Sequence, residues 1–230
     1  MEHGPLERVS SRKGRVDWLG ILPAMCAAAM LVACANESDV ETHLAKVEQL
    51  RLDNKPWQAI FEARSALSLA PDRADARLIL GKLYLSMEDG RSAKKEFEAA
   101  QQLGLPQEQV AVFVAQAKLY AGQFEDVAAK TYGDDQGLSP AMLSRLHAHR
   151  GEALIALGRF EEARSAFNAA DAHAKGTVYS LIGRARLDLM KGQTAAAAQK
   201  LDSALILEPD NAWALSNLGY FALQRGDGKA

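Results

Sequence analysis

A period of 34 residues runs through most of the chain and constrains its fold more than any other feature. Small residues recur at that spacing, and two further columns repeat it, with one shared insertion of two residues before the fourth unit. The three columns are Val47, Gly81, Ala115, Gly151, Ala185 and Gly219; Ala59, Ala93, Val127, Ala163 and Ala197; and Ala66, Ala100, Asp134, Ala170 and Ala204. A fixed period of this length indicates repeated units, each of which packs on its neighbours.

Each unit has the pattern of two helices. In ARLILGKLYLSM and EALIALG, apolar residues recur at three- and four-residue spacing, as an amphipathic helix requires. Four glycines follow the first small column by seven residues and predict the end of each first helix: Gly122, Gly158, Gly192 and Gly226. Segments such as SAKKEFEAAQQL form the second helix, and Ser139-Pro140 predicts an N-cap followed by a proline in the first turn. No strand pattern is present, so the sequence predicts an all-α fold.

The second unit resembles the tetratricopeptide repeat (TPR), a helix-turn-helix unit of 34 residues. Its matching positions are Leu80, Gly81, Tyr84, Ala93, Phe97, Ala100 and Pro106. The resemblance implies a superhelical solenoid of about five repeats with a capping helix. We expect repeats at about 40–73, 74–107, 108–143, 144–177 and 178–211, a capping helix at 212–225 and a tail at 226–230. The third unit runs into TYGDDQG, which predicts a short second helix.

The rest of the sequence offers little chemistry. The chain has 230 residues and a formal net charge of −2, which gives no reason to expect nucleic-acid binding. No phosphate-binding loop, G-x-S-x-G or H-E-x-x-H motif occurs. His147 and His149 are two residues apart and make a poor metal pair on a helix, and His43 and His173 have no evident partners. We therefore predict no enzyme, no metal and no cofactor, and we expect Trp57, near a turn, to belong to the core.

The N-terminal 33 residues have the features of a secretory signal peptide. A basic start precedes the uncharged run WLGILPAMCAAAMLVACA, from Trp18 to Ala35. Its end, LVAC at 31–34, resembles a bacterial lipobox, which implies cleavage before Cys34 and lipidation of its thiol. We thus expect a signal peptide at 1–33, a lipid-anchored linker at 34–39 and the solenoid at 40–225. Two alternatives remain: an uncleaved transmembrane helix interrupted by Pro23, and an ordinary signal peptide in which Cys34 is only a small residue.

The lipobox and the repeats together resemble the TPR lipoprotein of the PEP-CTERM/exosortase system. Ala35 stands where aspartate would signal retention at the inner membrane, so the resemblance implies the periplasmic face of the Gram-negative outer membrane. It also implies a scaffold for partner proteins in exopolysaccharide production and protein export. A pilotin-type lipoprotein for the type IV pilus secretin is the alternative, and an adaptor for peptidoglycan hydrolases is a third possibility.

In TPR proteins the first helices of successive repeats line a concave groove that holds peptides or protein segments. The resemblance therefore implies a partner that is an envelope protein or peptide, with a membrane contact only through the lipid. Aromatic and arginine residues are enriched at binding hot spots, which favours this face. The groove residues that we predict are Lys82, Phe113, Gln116, Tyr120, Arg145, His149, Tyr179, Arg186, Trp213, Asn217 and Tyr220.

Overall fold

The computed structural model describes residues 37–131, 137–209, 214–215 and 218–219, and every regular element among them is helical. The all-α fold predicted from the sequence is therefore confirmed. The N-terminal segment through Cys34 and most of the expected capping helix lie outside the described residues. The helices are α1 (37–52), α2 (Pro56–Leu69), α3 (Ala74–Ser86), α4 (Gly90–Gln102), α5 (Gln107–Tyr120), α6 (Phe124–Ala128), α7 (Pro140–Ala156), α8 (Phe160–His173), α9 (Val178–Met190) and α10 (Thr194–Leu207).

Short polar side chains cap three of these helices. The Ser139 hydroxyl accepts the backbone N–H of Met142 at the start of α7, as the Ser-Pro pair predicted. The Asp89 carboxylate does the same for α4, and Thr177 does so for α9. Each cap satisfies a backbone donor that has no partner within the helix.

The helices pack as successive pairs. The helices α3 and α4, α7 and α8, and α9 and α10 form the most extensive contacts, and each first helix also touches the next, from α3 to α5, α7 and α9. These four first helices thus form one continuous row, which we call the first-helix row. The core is a series of clusters that follows the same order along the chain.

The small residues of the first column allow aromatic rings to approach the helix backbone. A Cβ atom on Gly81 would lie 2.5 Å from the ring of Phe97, and one on Gly151 would lie 2.6 Å from the ring of Phe167. Gly183 on α9 lies against the same Phe167 ring, which leaves no space for a Cβ atom there either. Both rings are fully buried. The repeat therefore needs small side chains here because the phenylalanines occupy the space.

The prediction that Trp57 belongs to the core is wrong, because 71% of this residue is exposed. The buried face of α2 includes Ala59, Ile60 and Ala63. Trp57 and Phe61 lie four residues apart on a different stripe of the same helix, and that stripe faces solvent. An apolar residue beside a turn can thus fall outside the buried stripe.

The second helix of the third unit, α6, has only five residues. Its C-terminal end is held by the neighbouring repeat, because Arg150 Nε on α7 donates to the carbonyl oxygen of Ala128 over 2.9 Å. Beyond α10, Ala214 is buried and Leu218 packs on the cluster formed by α9 and α10. Within the described parts of the chain, no helix is long and apolar enough to cross a membrane.

Candidate functional site

The described residues of the predicted groove lie in stripes along the first-helix row. On α5, Phe113, Gln116 and Tyr120 follow a spacing of three and four residues, which places them on one helix face. On α7, Arg145 and His149 are four residues apart and therefore also share one helix face. Lys82 lies on α3, and Tyr179 and Arg186 lie on α9. Trp213, Asn217 and Tyr220 lie outside the described residues.

Two cations of the row lie against aromatic rings of the following repeat. Lys82 Nζ is 4.8 Å from the centroid of the Phe113 ring. Arg145 Cζ is 4.7 Å from that of Tyr179, and Arg145 Nη2 also donates to the Tyr179 hydroxyl over 3.1 Å. A cation over an aromatic face is attracted by the negative charge of that face. These contacts therefore orient both cations and link successive first helices.

A pocket of about 230 Å³ opens between α5, α6, α7 and α9. It combines apolar walls with hydrogen-bonding groups, as small binding sites usually do. Four of its residues were predicted from the sequence and four were not among the predicted site residues. The predicted ones are Gln116, Tyr120, His149 and Arg186, and the others are Leu119, Phe124, Glu152 and Ala156.

An ion pair between Glu152 and Arg186 forms the polar wall of the pocket. Glu152 is buried, and this burial raises its pKa to about 7 although the Arg186 guanidinium acts in the opposite direction. The two residues are 34 positions apart, so they occupy equivalent positions in successive repeats. Opposite charges one repeat period apart are therefore a sequence signal that could have predicted this ion pair. Arg145 and Tyr179, which also contact each other, have the same spacing.

His149 lines the pocket but is nearly fully buried. Burial, reinforced by the charge of Arg145, lowers the pKa of His149 to about 3. Its ring meets that of Tyr179 edge-on, with 5.5 Å between the centroids, and neither ring nitrogen has a hydrogen-bond partner among the described residues. His149 is therefore neutral at ordinary pH and acts as a packing side chain.

The three described histidines outside the pocket have structural partners that the sequence did not indicate. His43 Nδ1 lies 2.5 Å from Glu62 Oε2, which joins α1 to α2. The rings of His147 and His173 stack with 5.4 Å between their centroids, which joins α7 to α8. In the described part of the chain, no group of three or more histidine, cysteine or acidic residues could hold a metal ion.

No protein-family model and no curated protein matches the chain. Among solved structures, the thermophilic TPR protein TTC0263 of Thermus thermophilus gives a TM-score of 0.60 at 18% identity, over 80% of this chain and 97% of that protein. This chain has the TPR fold. PilF of Pseudomonas aeruginosa gives a TM-score of 0.55 at 17% identity, over 84% of this chain and 87% of that protein. MamA gives a TM-score of 0.52 at 14% identity, over 76% of this chain and 95% of that protein. At these sequence identities, the similarity of this chain to these solved structures establishes only its fold.

Proposed function

We propose that this chain is a TPR scaffold that holds partner proteins on its first-helix row at the bacterial envelope. The observation that carries the proposal is the arrangement of that row. Oriented cations and aromatic rings extend from Lys82 on α3 to Arg186 on α9, and the 230 Å³ pocket lies within them. Aromatic and arginine side chains beside a pocket are typical of binding hot spots.

Site-specific crosslinking in cells tests the scaffold proposal. A photoreactive amino acid in place of Gln116, at the pocket, should crosslink a partner protein, whereas the same amino acid in place of the exposed Lys95 on α4 should not. Mass spectrometry would identify the crosslinked segment. Equal crosslinking from both positions, or none from Gln116, would contradict a binding surface on the first-helix row.

The proposed location depends on Cys34, which the lipobox resemblance identifies as the lipid carrier. Burial of each methylene group stabilises a membrane-bound state by about 0.8 kcal/mol, so several acyl chains hold a protein firmly. We expect Cys34→Ser to move the chain from the membrane fraction to the soluble periplasmic fraction. Cys26→Ser is the matched control, because Cys26 lies inside the proposed signal peptide and should be removed with it. Membrane fractionation that Cys34→Ser leaves unchanged would reject the anchor.

The proposed pathway is exopolysaccharide and PEP-CTERM protein export, and the alternative is assembly of a type IV pilus secretin. The first is supported by the sequence resemblance, and the fold likeness to other TPR proteins does not separate the two. Deletion of the gene distinguishes them. Loss of surface polysaccharide with intact pili would support the first, and loss of secretin multimers with normal polysaccharide would support the second.

A further inference from the structure

Lys82 and Arg145 are the two cations of the predicted groove that have no acidic partner in the described structure. Arg186, by contrast, is paired with Glu152. Other cations of the first-helix row are paired as well: Arg77 with Glu96, Lys118 with Asp126, and Arg184 with Asp171. Ion pairing is thus common on these helices. Among the described residues, Arg150 on α7 instead donates to the carbonyl oxygen of Ala128, and Lys82 and Arg145 lie over aromatic rings.

The acidic side chains of the same helices leave this positive charge uncompensated. Asp75 is paired with Arg73, and Asp188 with Lys200. Glu108 has no such partner, but it precedes Phe113 by five residues and therefore lies about 140° around α5 from that ring. The groove is consequently positive on a chain whose net charge is −2.

The groups between the two cations are suited to hydrogen-bond acceptors. Gln116 and Tyr120 lie on α5 between α3 and α7, and Gln116 Nε2 makes only a long contact of 3.5 Å with the Tyr120 hydroxyl. Arg186 uses Nη1 for Glu152, and its side chain remains 35% exposed at the pocket. An acidic chain that crosses the row would therefore meet hydrogen-bond donors on each of α3, α5, α7 and α9.

We infer that the first-helix row binds an acidic segment of the partner protein, whose carboxylates contact Lys82 and Arg145 and whose intervening residues cross the pocket. This inference rests on the proposed function and specifies the chemistry of the partner. A protein segment fits better than a nucleic acid, because nucleic-acid binding requires a dense basic patch, whereas only two described cations of the predicted groove lack an acidic partner.

The test measures binding of two fluorescent peptides to the full chain by anisotropy. One peptide alternates glutamate with alanine, and the other has glutamine at every glutamate position. We expect the glutamate peptide to bind, its affinity to fall with added salt, and the glutamine peptide not to bind. Lys82→Gln and Arg145→Gln should each weaken binding about fivefold, as expected for an exposed charge pair of about 1 kcal/mol.

Lys95→Gln and Arg91→Gln are the matched controls, because both cations are exposed on α4 and away from the row. The inference is overturned if the glutamate peptide does not bind, if the controls weaken binding equally, or if a single-stranded oligonucleotide binds the same residues more tightly. Circular dichroism checks that each variant is folded. If Arg145→Gln does not fold, the comparison of Lys82→Gln with its control alone tests the inference. Crosslinking from Gln116 would still support the scaffold if the acidic peptide failed.

Discussion

Three glycines of this fold lie against two phenylalanine rings. Phe97 contacts Gly81, and Phe167 contacts both Gly151 on α7 and Gly183 on α9. Gly219 belongs to the same sequence column as Gly81, yet nothing in the described structure lies within 4 Å of its Cβ position. The same residue type at equivalent repeat positions therefore serves different packing needs.

Gly81→Ala should lower the free energy of unfolding by up to about 2 kcal/mol. Alanine favours the helix by about 1 kcal/mol, but the added methyl group has no space beside the buried Phe97 ring, and overpacking costs about 1–3 kcal/mol. Gly219→Ala is the control and should be neutral or stabilising. Chemical denaturation measures both, and equal effects would contradict the packing explanation.

His149 and Glu152 should give opposite contributions to the pH dependence of stability. The pKa of His149 falls from 6.5 to about 3 on folding, so its contribution is lost as pH falls below 6.5. The pKa of Glu152 rises from 4.5 to about 7, so its contribution is lost as pH rises above 4.5. Burial causes both shifts; the charge of Arg145 further lowers the pKa of His149, and the charge of Arg186 partly offsets the rise for Glu152. Between pH 4.5 and 6.5 the two effects oppose each other.

Substitution of either His149 or Glu152 should reveal how the other residue contributes to the pH dependence of stability. Relative to wild type, His149→Gln should gain stability as pH falls from 6.5 to 4.5, and Glu152→Gln should gain stability as pH rises over the same range. Each change is at most about 1.4 kcal/mol per pH unit. Urea denaturation at several pH values measures it. Stability curves that remain parallel to wild type would show that neither group changes its pKa on folding.

At the scale of the element, capping determines where helices begin. The Asp89 carboxylate accepts the backbone N–H of Ser92 over 3.0 Å, and hydrogen bonds from the Ser92 hydroxyl and from this backbone N–H lower the pKa of Asp89. Glu88 precedes it with a positive φ of 57°, so the turn between α3 and α4 departs from the usual backbone region. The cap helps to fix the start of α4 after this turn.

Asp89→Ala should lower the free energy of unfolding by about 1 kcal/mol, because the first turn of α4 loses its cap. Asp89→Asn should retain most of the stability, since an asparagine side chain also accepts this hydrogen bond. The midpoints of urea denaturation compare the two variants. If alanine and asparagine had the same effect, charge rather than capping would explain the role of Asp89.

At the scale of the whole molecule, stability is distributed along the chain. One core cluster joins residues of the first two repeats to α5, and another joins α9 and α10 to Ala214 and Leu218. In a solenoid each repeat depends on its immediate neighbours, so damage should remain local.

Leu201→Ala and Leu80→Ala should therefore destabilise different ends of the molecule. Both leucines are buried, and each truncation should cost about 2–5 kcal/mol locally. Native-state hydrogen exchange should show loss of protection in α9 and α10 for Leu201→Ala, and in α2, α3 and α4 for Leu80→Ala. Uniform loss of protection in both variants would indicate a single cooperative unit.

The TPR fold could be predicted from the sequence alone, because the 34-residue period and the helical spacing are properties of one unit repeated along the chain. It also placed Gln116, Tyr120, His149 and Arg186 on helices that meet at one pocket. The pairing of Arg186 with Glu152, the burial of His149 and the exposure of Trp57 became known only from the packed structure. These features depend on how successive helices pack, because that packing determines which stripe of each helix is covered and which side chains meet across the repeat.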